Sequence, residues 1–170
     1  MEKTQADVVD VIIADWNRER PELDPSGLEV ASRIVVLARE LQRRVDRLLK
    51  KYNLAQWSFD VLATLRRAGD PYRLSPKVLS QSTMLSSSAM VNRLDRLENR
   101  GFLRRLPNTV DRRGLIVELT PAGKRVVDRA MPERLAEAKA VADLIPAQHR
   151  CELIRSLKLL CEAVSNMEKS

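Results

Sequence analysis

The chain has 170 residues, 44% of them apolar and 31% charged, which suits one folded domain with extended arms and excludes a disordered or collagen-like chain. Thirty Lys and Arg stand against 23 Asp and Glu, a net of +7, yet residues 1–32 hold three basic and eight acidic side chains, so the other 138 residues carry +12. A body with that surplus is an electrostatic candidate for a polyanionic partner.

Residues 4–18 carry an apolar stripe, Val8, Val9, Ile12, Ile13 and Trp16, that predicts a helix stopped by Pro21 to Pro25. A longer helix is predicted from about residue 26 to 52, with Leu28, Ala31, Ile34, Val35, Ala38, Leu41, Val45, Leu48, Leu49 and Tyr52 on one stripe. The run from Trp57 to Ala68 is short and apolar and stops at Gly69-Asp70-Pro71.

Ser75-Pro76 joins a cap to a proline at the first helical position, and a short helix to about Ser82 buries Val78 and Leu79. Thr83-Met84-Leu85 makes a tight turn, Ser86 caps a second helix running to Asn99, and Gly101 stands at its stop. Helix, short turn, helix is the helix-turn-helix arrangement. The period then switches to two. Phe102–Leu106 and Leu115–Leu119 read as strands of a hairpin whose loop runs from Pro107 to Gly114. Thr120-Pro121 opens another helix, which Pro132 is expected to break or kink. Cys151, Ile154, Leu157, Cys161 and Val164 mark a last helix.

The expected fold class is mainly α. It is a winged helix-turn-helix with a small β-hairpin wing, long terminal dimerisation helices and an extra N-terminal helix. The expected divisions are 1–24, the extra helix and linker; 25–53, a dimerisation helix; 54–120, the winged region; and 121–170, C-terminal dimerisation helices. Amphipathic helices at both ends exceed what one small core can use, which points to a homodimer.

Between Ser86 and Arg113 seven arginines face only Asp95, Glu98 and Asp111, a net of +4 in 28 residues. The second helix opens with Ser86, Ser87 and Ser88, short hydroxyls at a positive helix end that lets a phosphate or base edge come close. Asn92 and Arg96 follow on the same helix and reach groove edges or backbone. Arg112 and Arg113 sit at a turn suited to a narrow minor groove, with Asp111 as the wing brace. Residue by residue, caps and a solvated face explain the same side chains; together with the helix-turn-helix order, double-stranded DNA is the expected partner.

The stretches Leu74 to Ser80, Leu97 to Arg105, Asp111 to Arg113 and Glu118 to Gly123 closely resemble MarR-family transcriptional regulators, over about residues 28–165. The resemblance implies a triangular homodimer whose terminal helices form the interface. Each recognition helix would enter a major groove, and each wing a minor groove, of a pseudopalindromic site. By position it puts Ser87, Ser88 and Asn92 on the recognition helix and Arg113 on the wing; Asn108-Thr109-Val110 is less acidic than many wings.

Asp15 to Asp24, with Phe59 to Leu65 and Val91 to Arg93, is similar to the urate-responsive, PecS-like subgroup. That resemblance implies a ligand site at Trp16, Asp60, Arg93 and Arg105 for a small anionic aromatic ligand such as urate or xanthine, with derepression as the outcome. An indole face and guanidinium donors suit such an anion, and Asp60 opposes it. Taken singly, Trp16 reads as core, Asp60 and Arg93 as a salt bridge, and Arg105 as a phosphate contact.

Catalysis is not expected. The chain has no Gly-rich phosphate loop, no nucleophile elbow and one histidine, His149. Asp95 and Glu98 more simply balance arginine charge. No metal or other cofactor is expected. No run nears the roughly 18 apolar residues of a membrane span, and residues 1–20 are charged rather than signal-like, so a cytoplasmic protein is expected. Cys151 and Cys161 lie ten apart on one predicted helix, make no disulfide framework and read as packed thiols; a thiol trigger within the same family and a winged protein-interaction module are the competing readings.

Overall fold

A computed structural model describes residues 6–83, 87–108 and 114–167, without the side chains at 87 and 88. The expected turn at Met84 and Leu85, the Ser86 cap and the wing tip with Asp111, Arg112 and Arg113 therefore lie outside the described residues. The chain divides into two units, Met1–Arg47 and Leu48–Ser170.

In the first unit, α1 (Val8–Glu19) begins four residues later than its apolar stripe suggests, because Asp7 caps it. The Asp7 carboxylate accepts from the amides of Val9 and Asp10, at 2.8 and 3.1 Å, and Asp10 accepts from the Asp7 amide at 2.8 Å. This reciprocal cap fixes the start of the helix. Arg33, on α2 (Leu28–Lys50), donates to Asp7 at 2.9 Å and also pairs with Asp10, so the two helices are tied through the cap. Val9 is buried, whereas Val8, Val11, Ile12 and Trp16 are exposed.

The second unit holds α3 (Gln56–Arg67), β1 (Arg73–Leu74), α4 (Pro76–Thr83), α5 (Ser87–Asn99), β2 (Leu103–Pro107), β3 (Leu115–Leu119), α6 (Pro121–Asp143) and α7 (Ala147–Met167). Its core is apolar and continuous: Val61, Leu62 and Leu65 from α3, Leu79 from α4, Met90, Leu94 and Leu97 from α5, Leu103 from β2, Val117 and Leu119 from β3, and Val127 and Ala130 from α6. Helix α4 packs against α3 and α5 against α4, and β2 follows α5 so closely that the hairpin leans on it.

Three strands form the sheet, in the order β1-β3-β2, all antiparallel. Strand β1 was not foreseen, since two residues are too few to show an alternating pattern; tertiary pairing of Arg73 with Glu118 makes it. The pairing Leu103↔Leu119 and Arg105↔Val117 puts the buried side chains Leu103, Val117 and Leu119 on the core side. Two neighbours secure the wing's base. Thr120 Oγ1 donates to the Gly101 carbonyl at 2.7 Å and accepts from the Gly123 amide at 3.1 Å. At Gly123 a Cβ would lie 2.0 Å from the Phe102 carbonyl oxygen, so only glycine permits this approach of α6 to the hairpin.

Of the break or kink expected at Pro132, the break does not occur; α6 runs through it. The ring removes one hydrogen bond from a 23-residue helix and lies on an exposed face, a loss that the rest of the helix absorbs. Helix α7 has no buried residue at all, and Leu153, Ile154, Leu157, Leu160 and Val164 are exposed along it. The thiols of Cys151 and Cys161 are free and exposed in the single chain, not packed as expected.

Candidate nucleic-acid interface and ligand site

Helix α5 has two chemically different faces. Met90, Leu94 and Leu97 are buried at three- and four-residue steps, which fixes the helix rotation. The same rotation leaves Asn92 and Arg96 exposed. Arg96 makes no ion pair among the described residues, so its guanidinium is available. Ser87 and Ser88 stand in the first helical turn, where backbone N–H groups lack intrahelical acceptors.

The other arginines of this region are largely committed within the fold. Arg100 donates to the Asn53 carbonyl at 2.6 Å and lies 4.6 Å from the Phe102 ring centre. Arg104 donates to Glu118 at 2.6 Å, across β2 and β3, and Arg73 donates to the same carboxylate at 2.7 Å from β1. Burial alone would push the Glu118 carboxyl up, but the hydrogen bonds from Arg104 and Arg73 outweigh it and hold it below the usual glutamate value.

Arg105 is the most heavily engaged. Its guanidinium donates to Asp95 at 2.6 Å, to Glu98 at 3.0 Å and to the Val91 carbonyl at 3.3 Å, while its backbone amide donates to Glu98 at 2.8 Å. These contacts bolt β2 to α5. Asp95 and Glu98 thus balance arginine charge, as their spacing suggests, and their partner is a wing residue that sequence spacing could not identify.

Asp60 and Arg93 come from α3 and α5. They form no ion pair, contrary to the plainest reading of two opposite charges. Asp60 is half-buried, and burial raises its carboxyl above the usual aspartate value although Arg134, Arg67 and Arg93 all pull it down. Arg93 instead lies over the Trp57 indole, 5.4 Å from the ring centre. Trp57 precedes Asp60 by three residues on α3, and this aromatic neighbour was missed; the spacing was the available signal. Trp16, in the first unit, is 47% exposed and lines a hollow with Ile12, Asp15 and Glu19. Among the described residues no cluster of His, Cys, Asp or Glu is suited to a metal, and no helix is long and apolar enough to cross a membrane.

Fold and site together define a winged helix-turn-helix protein with a polar, partly basic face on its second helix. A sequence profile of the MarR family matches residues 52–114, which hold that motif and the start of the wing. Over 142 residues the chain is 34% identical to the HTH-type transcriptional regulator PecS of Dickeya dadantii (strain 3937), covering 84% of this chain and 86% of that protein. The fold matches AbsC, a MarR family transcriptional regulator from Streptomyces coelicolor, with a TM-score of 0.77 at 24% identity over 85% of this chain and 97% of the other. It also matches Sco3205 from the same organism, solved in complex with DNA, with a TM-score of 0.75 at 23% identity over 84% and 93% of the two chains. The chain belongs to the MarR family of transcriptional regulators.

Proposed function

We propose that the protein is a cytoplasmic homodimeric repressor of the urate-responsive, PecS-like subgroup, released from a pseudopalindromic operator by a small aromatic anion such as urate or xanthine. The observation that carries the DNA reading is the division of α5: a buried apolar face fixes it in the fold, and the opposite face presents Asn92 and Arg96 to solvent. Ser86, Ser87 and Ser88 at its start and Arg112 and Arg113 on the wing, braced by Asp111, complete the proposed contacts. Phosphate contacts set position and base edges set sequence. The bare apolar flank of α7 supports a second copy as its cover.

The proposed ligand residues are Asp60 and Arg93, with Trp16 and Arg105 as the positions that the resemblance adds. Arg93 is on the helix that reads DNA, so an anion that draws on its guanidinium and is opposed by Asp60 biases the orientation of α5. Arg105, bonded to Asp95 and Glu98, carries that movement to the wing. Release requires that the anion bind the DNA-incompetent arrangement more tightly, and by linkage DNA then weakens the anion by the same factor.

A mobility shift on the protein's own upstream region, with and without urate or xanthine, tests this reading. Expected are a retained duplex that weakens steeply with salt and dissociates with purine. Retention that no purine relieves removes the ligand part; no retention at low salt removes the DNA part and revives the protein-interaction module. Cys151 and Cys161 are free thiols, which leaves thiol oxidation as the alternative trigger, and a peroxide lane on the same gel decides it.

A further inference from the structure

Helix α5 carries one side chain that its polar face does not explain. Val91 is 54% exposed in the second turn, beside Asn92 and with Asp95 one turn on. A single exposed apolar residue is ordinary on a protein surface. This one differs because it stands on the side of α5 that the duplex reading puts against a groove. Its position is also held: the Val91 carbonyl accepts from the Arg105 guanidinium at 3.3 Å, which ties this turn to β2. A valine in a helix keeps essentially one χ1 rotamer, so its two methyl groups are presented at a fixed place with little entropy left to lose. The neighbouring Asp95 carboxylate is bound by Arg105 at 2.6 Å, so its charge is offset where phosphate would approach.

From this placement we infer that Val91 is a specificity-determining residue that reads the C5-methyl group of a thymine in the major groove. The inference rests on the duplex-binding reading of α5 above and sharpens it. Base edges in that groove offer hydrogen-bonding groups and one apolar group, the thymine methyl. Asn92 and Arg96 address the hydrogen-bonding groups, and Val91 supplies the apolar partner. In a helix-turn-helix the N-terminal part of the second helix reaches the base edges, and Val91 lies nearer that end than Arg96. Contact between the valine methyls and the thymine methyl removes apolar surface from water and releases no counterion, so this part of the binding is independent of salt.

The duplex retained from the protein's own upstream region is resynthesised with deoxyuridine in place of each thymine in turn. That exchange deletes the C5-methyl group and keeps every hydrogen-bonding group. Affinity is measured for the wild type, Val91→Ala and Asn92→Ala at two salt concentrations. At one thymine position the wild type should lose about fourfold, the scale of one buried methyl group, and by the same factor at both salts. Val91→Ala should lose about fourfold or more on the natural duplex and then be indifferent, within about twofold, to deoxyuridine at that position. Asn92→Ala should stay as sensitive to it as the wild type. Alanine is a better helix former than valine at an exposed position, and circular dichroism and Tm confirm that the variant folds. A duplex that binds but shows no methyl dependence, or a Val91→Ala protein with the wild-type methyl dependence, overturns the inference and leaves α5 as the reading helix. Failure of the wild type to retain any duplex at low salt overturns both the inference and the DNA reading beneath it.

Discussion

The winged region and the terminal helix α7 treat the same kinds of side chain in opposite ways. From α3 to the start of α6 most large apolar residues are inside, with Val91, Leu115 and Val78 (expected to be buried) exposed, and Arg100, Arg104 and Arg105 are spent on carbonyls and carboxylates. In α7 nothing is buried, although leucine recurs along 21 residues. The first region is a finished core that presents a few chosen polar groups. The second leaves its apolar flank bare, the kind of exposed patch that marks an interaction surface and that the proposed second copy would cover.

The largest effect should come from breaking the unfinished half. Leu153→Glu with Leu157→Glu on α7 removes two leucines from the surface that the proposed second copy covers and adds charge, roughly 4 kcal/mol or more and so about a thousandfold in self-association. Sedimentation should then show a monomer with near-native circular dichroism; an unaltered dimer would place the interface elsewhere. Next comes the tightest point of the finished half. Gly123→Ala forces a methyl onto the Phe102 carbonyl and should destabilise by about 1–3 kcal/mol, read as a lower urea midpoint.

Glu118→Gln should lose roughly 1–3 kcal/mol, because two arginines lose their shared anion on the sheet. The same carboxylate makes the wild type acid-sensitive. Its folded value lies below the ordinary glutamate value, so the stabilisation is complete above the unfolded value and disappears as pH falls through the folded one. Denaturation followed from pH 6 downward should therefore steepen below about 4.5 in the wild type, and less so in Glu118→Gln. The smallest change tests the presented polar groups. Arg96→Ala should change stability by no more than about 0.5 kcal/mol, weaken operator DNA about tenfold and, if the contact is to phosphate, lower the salt slope by about one. Arg104→Ala should do the reverse, costing stability rather than DNA affinity.

Most of the element order was legible from local chemistry. The caps at Ser75 and Thr120, the stops at Gly69 and Gly101 and the switch to alternating residues after Phe102 each act within a few residues, so they are written in the chain itself. Pro132 does not break α6, because one lost hydrogen bond is a local cost that a long helix outweighs. Strand β1 escaped because its two residues obtain their conformation from β3, 45 positions away at Glu118.

The candidate sites divide along the same line. Sequence identified which residues carry charge and which helix bears Asn92, Arg93 and Arg96, since composition and helical spacing are properties of the chain. It could not say which arginines would be consumed internally. That was decided by the packing of β2 on α5, which gives Arg105 to Asp95 and Glu98, and by α3, which brings Trp57 rather than Asp60 into contact with Arg93. Charge is fixed by covalent structure, but its partner is chosen by whichever group the folded backbone brings within a few ångströms.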